Sequence, residues 1–194
     1  MRIIGGIAAG RLLKVPRGFN VRPTPDLVKQ AVFNSLGGRV VGARVLELFA
    51  GSGALGLECL SRGAASVLAV ELSQKHAGWI RGNLEETGLP AARFDLRVQD
   101  VFVALHQLAA EGRTFDLIVA DPPFGAKTRG ERSLSLSQKL LDEPATEAVL
   151  EPDGLFVLGH THRDEVVVGP VWEERKFMRH GDSVMRFLVR ADTG

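Results

Sequence analysis

A Rossmann-like α/β domain, with helices covering both faces of a mostly parallel sheet, is what this 194-residue chain predicts. Three observations predict it. From residue 44 onward, short apolar runs alternate with helical patterns, the signature of parallel strands joined by crossover helices. The first run opens into Gly51-Ser52-Gly53-Ala54-Leu55-Gly56, and the second ends in Glu71, about where a ribose-binding acid is expected. The run Phe115–Ala120 ends in Asp121-Pro122-Pro123-Phe124, a carboxylate, a stiff corner and an aromatic ring.

Before the alternation, Arg2 to Val15 reads as two short apolar runs broken by Gly5, Gly6 and Gly10, a small β-hairpin with basic side chains. Gly18 to Pro25 reads as loop. Thr24 followed by Pro25 is an N-cap and first-turn pair, and the helix beyond it buries Val28, Ala31, Val32 and Leu36 and stops at Gly37-Gly38. The strands expected next are 44–49, 67–71, 94–98, 115–120 and 155–158. The helices are 54–62, 73–87, 101–110 and one near 137–150. Beyond Thr161 the pattern changes to strands at 165–168, 171–177 and 184–190, the last two an antiparallel pair.

Composition sets limits. Hydrophobic content of 45% with 24% charged residues is that of a globular domain with a sizeable core. The one cysteine, Cys59, excludes an intrachain disulfide and a Cys-rich zinc site, which suits a reducing cytoplasm, and it reads as a core residue. The first residues lack the apolar run of a signal peptide, and no stretch is long enough for a membrane span. Charge is uneven. Residues 1–44 hold eight Lys/Arg and one acid, Asp26, for a net +7; the other 16 basic and 22 acidic residues give −6. A basic end on an acidic body is either a landing surface for a polyanion or a solvated face.

The glycine turn alone suits a dinucleotide. Glu47, within the strand before it, argues against that, since a carboxylate beside the turn repels a pyrophosphate and favours the sulfonium and ammonium of S-adenosylmethionine (AdoMet). Glu71 would hold the ribose hydroxyls. Asp100 has two readings, acceptor for the adenine amino group or N-cap of the helix from Val101. Asp121 and the Pro122 carbonyl offer acceptors to the N–H groups of a flat base, and the Phe124 ring offers it a face. In a doubly wound sheet the strands before these two motifs are neighbours at the topological switch point. A methyl donor and a base slot in one crevice specify methyl transfer to an exocyclic amine.

These residues, with Arg2-Ile3-Ile4-Gly5-Gly6, Arg22-Pro23-Thr24, Asp26, Val32-Phe33-Asn34, Leu48 to Glu58, Leu60 to Ala64 and Gly181-Asp182-Ser183, resemble the bacterial RsmD family of small-subunit (16S) ribosomal RNA guanine-N2 methyltransferases nearly end to end. The resemblance implies a class I AdoMet-dependent fold, a seven-stranded sheet with an antiparallel C-terminal strand. It divides the chain into a basic, RNA-facing hairpin extension (1–24) and a methyltransferase domain (25–194). It implies AdoMet as cofactor and a guanine of 16S ribosomal RNA, within the small subunit or its assembly intermediate, as substrate. A cytoplasmic monomer without metal or membrane partner is expected. The catalytic set is Asp121, Pro122, Pro123 and Phe124. The donor site takes Glu47, Phe49, Ala50, Gly51, Ser52, Gly53, Ala54, Glu71, Leu72, Asp100 and Val101, with Arg22 and Thr24 either closing over it or serving only the helix entry. RNA docking falls to Arg2, Arg11, Lys14 and Arg17, then Lys127, Arg129 and Arg132.

Three departures from the family pattern lie at the rim of the base slot: the long polar segment Gly125–Ser135, Gly159-His160 where an acid is expected, and His180 where a tyrosine is usual. His160 and His162 could share a strand face, but no third metal ligand is near in sequence. Trp79 and Trp172 read as packing, His76 and His106 as helix-surface residues. The rival readings are a DNA adenine-N6 methyltransferase, a nicotinamide oxidoreductase and a catalytically silent RNA-binding protein.

Overall fold

The computed structural model describes residues 1–15, 25–123 and 134–191. Its seven strands are β1 (Arg44–Leu48), β2 (Ser66–Glu71), β3 (Phe94–Val98), β4 (Phe115–Ala120), β5 (Leu150–Thr161), β6 (Trp172–His180) and β7 (Ser183–Arg190). They form one sheet in the order β3-β2-β1-β4-β5-β7-β6, parallel except that β7 runs against both its neighbours. The helices are α1 (Asp26–Leu36), α2 (Ala54–Ser61), α3 (Gln74–Thr87), α4 (Val101–Ala110), α5 (Leu136–Asp142) and α6 (Pro144–Ala148). The expected seven-stranded class is the observed one.

Successive side chains of the central strands go to opposite faces, so each strand feeds two cores. Val45, Val67, Leu117, Val119, Leu155 and Val157 pack with α1 and α2. Leu46, Leu48, Leu68, Val70, Ile118, Phe156 and Leu158 pack with α4, α5 and α6. That double burial is why these strands read as continuous apolar runs. Cys59 is fully buried in the first core, as expected.

Four sequence expectations change. The helix expected near 137–150 is two short helices, because the Glu143-Pro144 step opens a new helix, with Glu143 capping the Ala145 amide at 3.1 Å. The fifth strand is longer, twelve residues from Leu150, since β7 pairs with its outer half. Residues 165–168 form no strand. The Val167 backbone is claimed by Gln138, whose Oε1 accepts from Val167 N (2.8 Å) and whose Nε2 donates to Val167 O (3.0 Å). The N-terminal hairpin is reduced to a single antiparallel bridge, Arg2 to Leu12.

What holds that N-terminal segment is the end of α2. Both oxygens of the buried Glu58 accept backbone amides, from Ile4 and Gly5, at 2.8 Å each. Ser61 accepts from Ala8 N (2.9 Å) and donates to Gly5 O (2.6 Å). Gly6, at φ +79°, lies so close that a Cβ would stand 1.9 Å from Ser61 O. Lys29 of α1 is buried beside Glu58 (3.7 Å) and Asp26 (3.6 Å); burial lowers its pKa and the two carboxylates offset part of that. Ile3, Ala8 and Leu13 belong to the same core as α1 and α2.

Farther along, Asn83 of α3 is fully buried. Its amide oxygen accepts from Lys14 N at 2.8 Å, and its amide nitrogen donates to Lys14 O (2.8 Å) and Ser52 O (2.9 Å). One side chain thus ties the exit of the N-terminal segment to the glycine-rich turn.

Candidate active site

β1 and β4 are adjacent and parallel, with Leu48 opposite Ala120. The chain therefore leaves both strands at one edge, at the point where strand order reverses, and the glycine turn and Asp121-Pro122-Pro123 emerge side by side. Phe49 takes φ +57°, a strained conformation for an aromatic residue, and meets Phe102 edge-on at 6.5 Å. Gly51 and Gly53 follow at φ +58° and +75°, and Gly53 stands as N-cap of α2 against Ile80. Ala50 and Ser52 are buried in the turn, and Ala54 is buried at the first position of α2.

Glu71 closes the turn from β2. One oxygen accepts from Gly51 N (2.8 Å), the other from Ser73 N (2.9 Å), with His76 Nδ1 at 3.3 Å. Leu72, next to it, is 67% exposed, an apolar side chain facing solvent beside a polar turn. Asp100 is the N-cap of α4, its Oδ1 accepting from Phe102 N (2.9 Å) and Val103 N (3.2 Å), and Val101 is buried behind it. The capping reading of Asp100 is thus present in the fold.

Glu47 is placed differently from the sequence reading. It is 1% exposed and lies under the turn, accepting from Leu55 N at 3.1 Å, with Oε2 against Gly56. Burial pushes its pKa up to about 8, against the backbone amides of Gly56 and Leu55, so the carboxyl is held protonated at neutral pH. The acid presented to the turn amides is therefore Glu71, which accepts from Gly51 N, while Glu47 lies beneath the turn.

At the other motif, Asp121 is half-buried, Pro122 buried and Pro123 exposed. The position where the sequence expected an acid at the strand's end is Gly159, inside the longer β5, and the geometry gives the reason for a glycine. A Cβ there would stand 2.3 Å from Asp121 Oδ1 and 3.0 Å from its Cγ. The glycine leaves the space that the Asp121 carboxylate fills, and Ser137 of α5 fixes it by donating to Gly159 O at 3.0 Å.

The family described as "Conserved hypothetical protein 95" matches residues 1–189. The chain belongs to this family. The Bacillus subtilis (strain 168) protein YlbH, provisionally named an rRNA methyltransferase, is 37% identical over 178 residues, 91% of this chain and 92% of its own length. "Ribosomal RNA small subunit methyltransferase D" of Haemophilus influenzae is 31% identical over 170 residues, 88% of this chain and 83% of that protein. The solved Escherichia coli chain yhhF, provisionally named a methyltransferase, has a TM-score of 0.79 at 31% identity, over 98% of this chain and 97% of that one. The resemblance to the RsmD family drawn from the sequence is borne out.

In this family member, Arg2, Arg11 and Lys14 are exposed on the N-terminal segment. Arg2 Nε lies 3.6 Å from Asp26, and Lys14 Nζ is paired with Glu86. Arg17, Arg22, Thr24, Phe124, Lys127, Arg129 and Arg132 lie outside the described residues. His160 is buried and engaged on both sides, Nδ1 with Thr161 O (2.8 Å) and Nε2 with Arg186 Nε (2.9 Å); burial lowers its pKa. His162 Nδ1 lies 3.2 Å from Asp182, His106 Nε2 3.4 Å from Glu143, and no group of three metal-ligating side chains occurs among the described residues. Trp172 is packing, buried against Phe156 with its Nε1 donating to Leu141 O at 3.0 Å. Trp79 is only half-buried. Sequence reasoning missed Glu58, Ser61 and Asn83, and it noted Gly159 only as a departure at the rim of the base slot. For Glu58 and Ser61 a signal existed: polar residues inside the otherwise apolar run of α2 need buried partners.

Proposed function

We propose that this chain is an AdoMet-dependent methyltransferase that modifies the exocyclic N2 amine of a guanine in 16S ribosomal RNA. The observation that carries the reading is the emergence of the glycine turn and Asp121-Pro122-Pro123 from adjacent strands at the switch point. The named function of the Haemophilus and Bacillus relatives supports ribosomal RNA as the substrate class, and small-subunit RNA within it. Guanine N2 is the finer step, taken from the RsmD resemblance. The setting that goes with such a substrate is the cytoplasm; no helix among the described residues is long and apolar enough to cross a membrane.

The donor site fits a cationic ligand better than a pyrophosphate. The Gly51 amide already donates to the Glu71 carboxylate, so the turn offers an acid where a phosphate needs amides. Glu71 would receive the ribose hydroxyls, exposed Leu72 would lie along the adenine face, and Gly51 to Gly53 would admit the methionine end beside the N-terminus of α2. AdoMet, when bound, supplies an electrophilic methyl on a sulfonium. Glu47 holds the turn in shape from below through Leu55 N.

The 2-amino lone pair of guanine is delocalised into the ring and is a poor nucleophile. Asp121 and the Pro122 carbonyl accept its two N–H groups, draw the nitrogen towards tetrahedral geometry and leave the lone pair facing the methyl. The two prolines pre-position those acceptors, and Gly159 gives the carboxylate its room. Phe124 stacks on the swung-out base, a contribution of about 1–3 kcal/mol. Asp121 takes up the proton once the nitrogen is alkylated and returns it to solvent.

The test is incubation with labelled AdoMet and naked 16S RNA, assembled small subunits or duplex DNA, followed by nucleoside analysis. Label in N2-methylguanosine is expected from one of the RNA substrates; label in DNA adenine, or none at all, overturns the reading. Asp121→Ala is expected to lower turnover by about 100-fold or more with AdoMet affinity unchanged.

A further inference from the structure

Between the exit of the N-terminal segment and α3 lies a cavity of about 610 Å³ lined by Leu13, Lys14, Val15, Lys75 and Trp79. We propose that it is a second RNA subsite, which stacks a nucleotide outside the target guanine on Trp79 and holds that nucleotide's phosphate between Lys14 and Lys75. The inference rests on the RNA reading above and adds a binding site to it.

The lining has the two chemistries a nucleotide presents. Lys75 and Trp79 are four residues apart, hence on one face of α3 and about 6 Å apart along its axis. Trp79 is half-buried, so part of its indole meets the cavity, while Leu13 is buried and Val15 half-buried, closing an apolar floor. Lys14 and Lys75 are both exposed, and none of the described lining residues is a carboxylate. The Lys14 ammonium is paired with Glu86, seven residues beyond Trp79 and thus about 10 Å farther along the helix, and it leaves that carboxylate to meet a phosphate.

Position favours RNA over a free nucleotide. The cavity belongs to the basic part of the chain, where residues 1–44 carry eight Lys/Arg and one acid. It also adjoins the donor site, because Asn83 joins Lys14 directly to Ser52 of the glycine turn. The backbone neighbouring a target base in the Asp121 crevice would then run along this ledge. An indole face takes any base, so the subsite gives grip rather than sequence choice.

The two tryptophans make the test direct. Trp172 is 5% exposed and bonded to Leu141 O, so quenching of the intrinsic fluorescence by a ligand reports Trp79. Titration with a single-stranded oligoribonucleotide is expected to quench wild type and Trp172→Phe alike but not Trp79→Leu, and inorganic polyphosphate is expected not to quench. In methyl transfer to 16S RNA, Trp79→Leu is expected to raise KM for RNA roughly 5- to 150-fold with kcat and AdoMet affinity retained. Trp79→Phe is expected to recover part of the loss. Lys75→Glu is expected to raise KM and flatten its salt dependence, and it carries the test if Trp79→Leu misfolds. Unchanged KM in both Trp79→Leu and Lys75→Glu, equal quenching by polyphosphate, or an effect confined to AdoMet affinity overturns the proposal. If wild type methylates no RNA the functional reading fails, while the fluorescence titration still decides the subsite.

Discussion

Glu47 and Gly159 carry the lesson at the scale of single residues. Glu47 was legible as an acid beside the glycine turn, but not which way it points, because that depends on the close approach of α2 at Gly56. Its burial has a measurable consequence. The folded carboxyl titrates near 8, the unfolded one near the ordinary 4.5. Below pH 4.5 both states hold the proton; between 4.5 and 8 only the folded state does, so folding stability falls as pH rises through that window. Glu47→Gln keeps an acceptor for Leu55 N and has no proton to lose. Relative to wild type it is therefore expected to gain stability from pH 5 to pH 8, by an amount on the order of a few kcal/mol. Urea unfolding at the two pH values measures it; a difference that does not change with pH shows that Glu47 is not held neutral. Gly159 was illegible for a related reason. A glycine in a strand has no meaning until its neighbour on the next strand's path is known, and here that residue is Asp121.

Among the elements, those with strong local signals came through nearly residue for residue. β3, β4 and α4 have the expected bounds, and α3 starts after the Ser73 cap, which accepts from His76 N at 3.3 Å. Legibility failed where tertiary contacts set the local structure: at α5 and α6, at the loop held by Gln138, and in the N-terminal segment. The motif Arg2-Ile3-Ile4-Gly5-Gly6 looked like part of a basic arm, yet its glycines serve close docking on α2. Gly6→Ala is accordingly expected to destabilise the protein by roughly 1–3 kcal/mol, since it adds both a positive-φ penalty and a clash with the Ser61 carbonyl. A thermal melt checks this; an unaltered Tm removes the docking contact from the account of stability.

For the molecule as a whole, a basic first quarter sits on an acidic remainder, the part proposed to meet RNA. If Arg2, Arg11, Lys14 and Arg17 each meet one phosphate, affinity for single-stranded RNA is expected to fall about 50-fold between 50 and 200 mM salt, with a log–log slope of about −2.8. Filter binding across that range measures it, and a flat response detaches the basic segment from RNA. The global topology was readable because alternating strands and helices leave few chain paths, and the two motifs at strand tips fixed where the crevice lies. The link between the basic segment and that crevice was not readable. Asn83 holds Lys14 with a pair of hydrogen bonds and Ser52 with a third, so the opening fourteen residues and the donor loop share a hinge pin. If the basic segment takes a polyanion as proposed, tension on it would reach the proposed sulfonium seat through one amide group. Shaving the front of the chain would therefore loosen the far wall of the methyl-donor niche along with the grip on RNA.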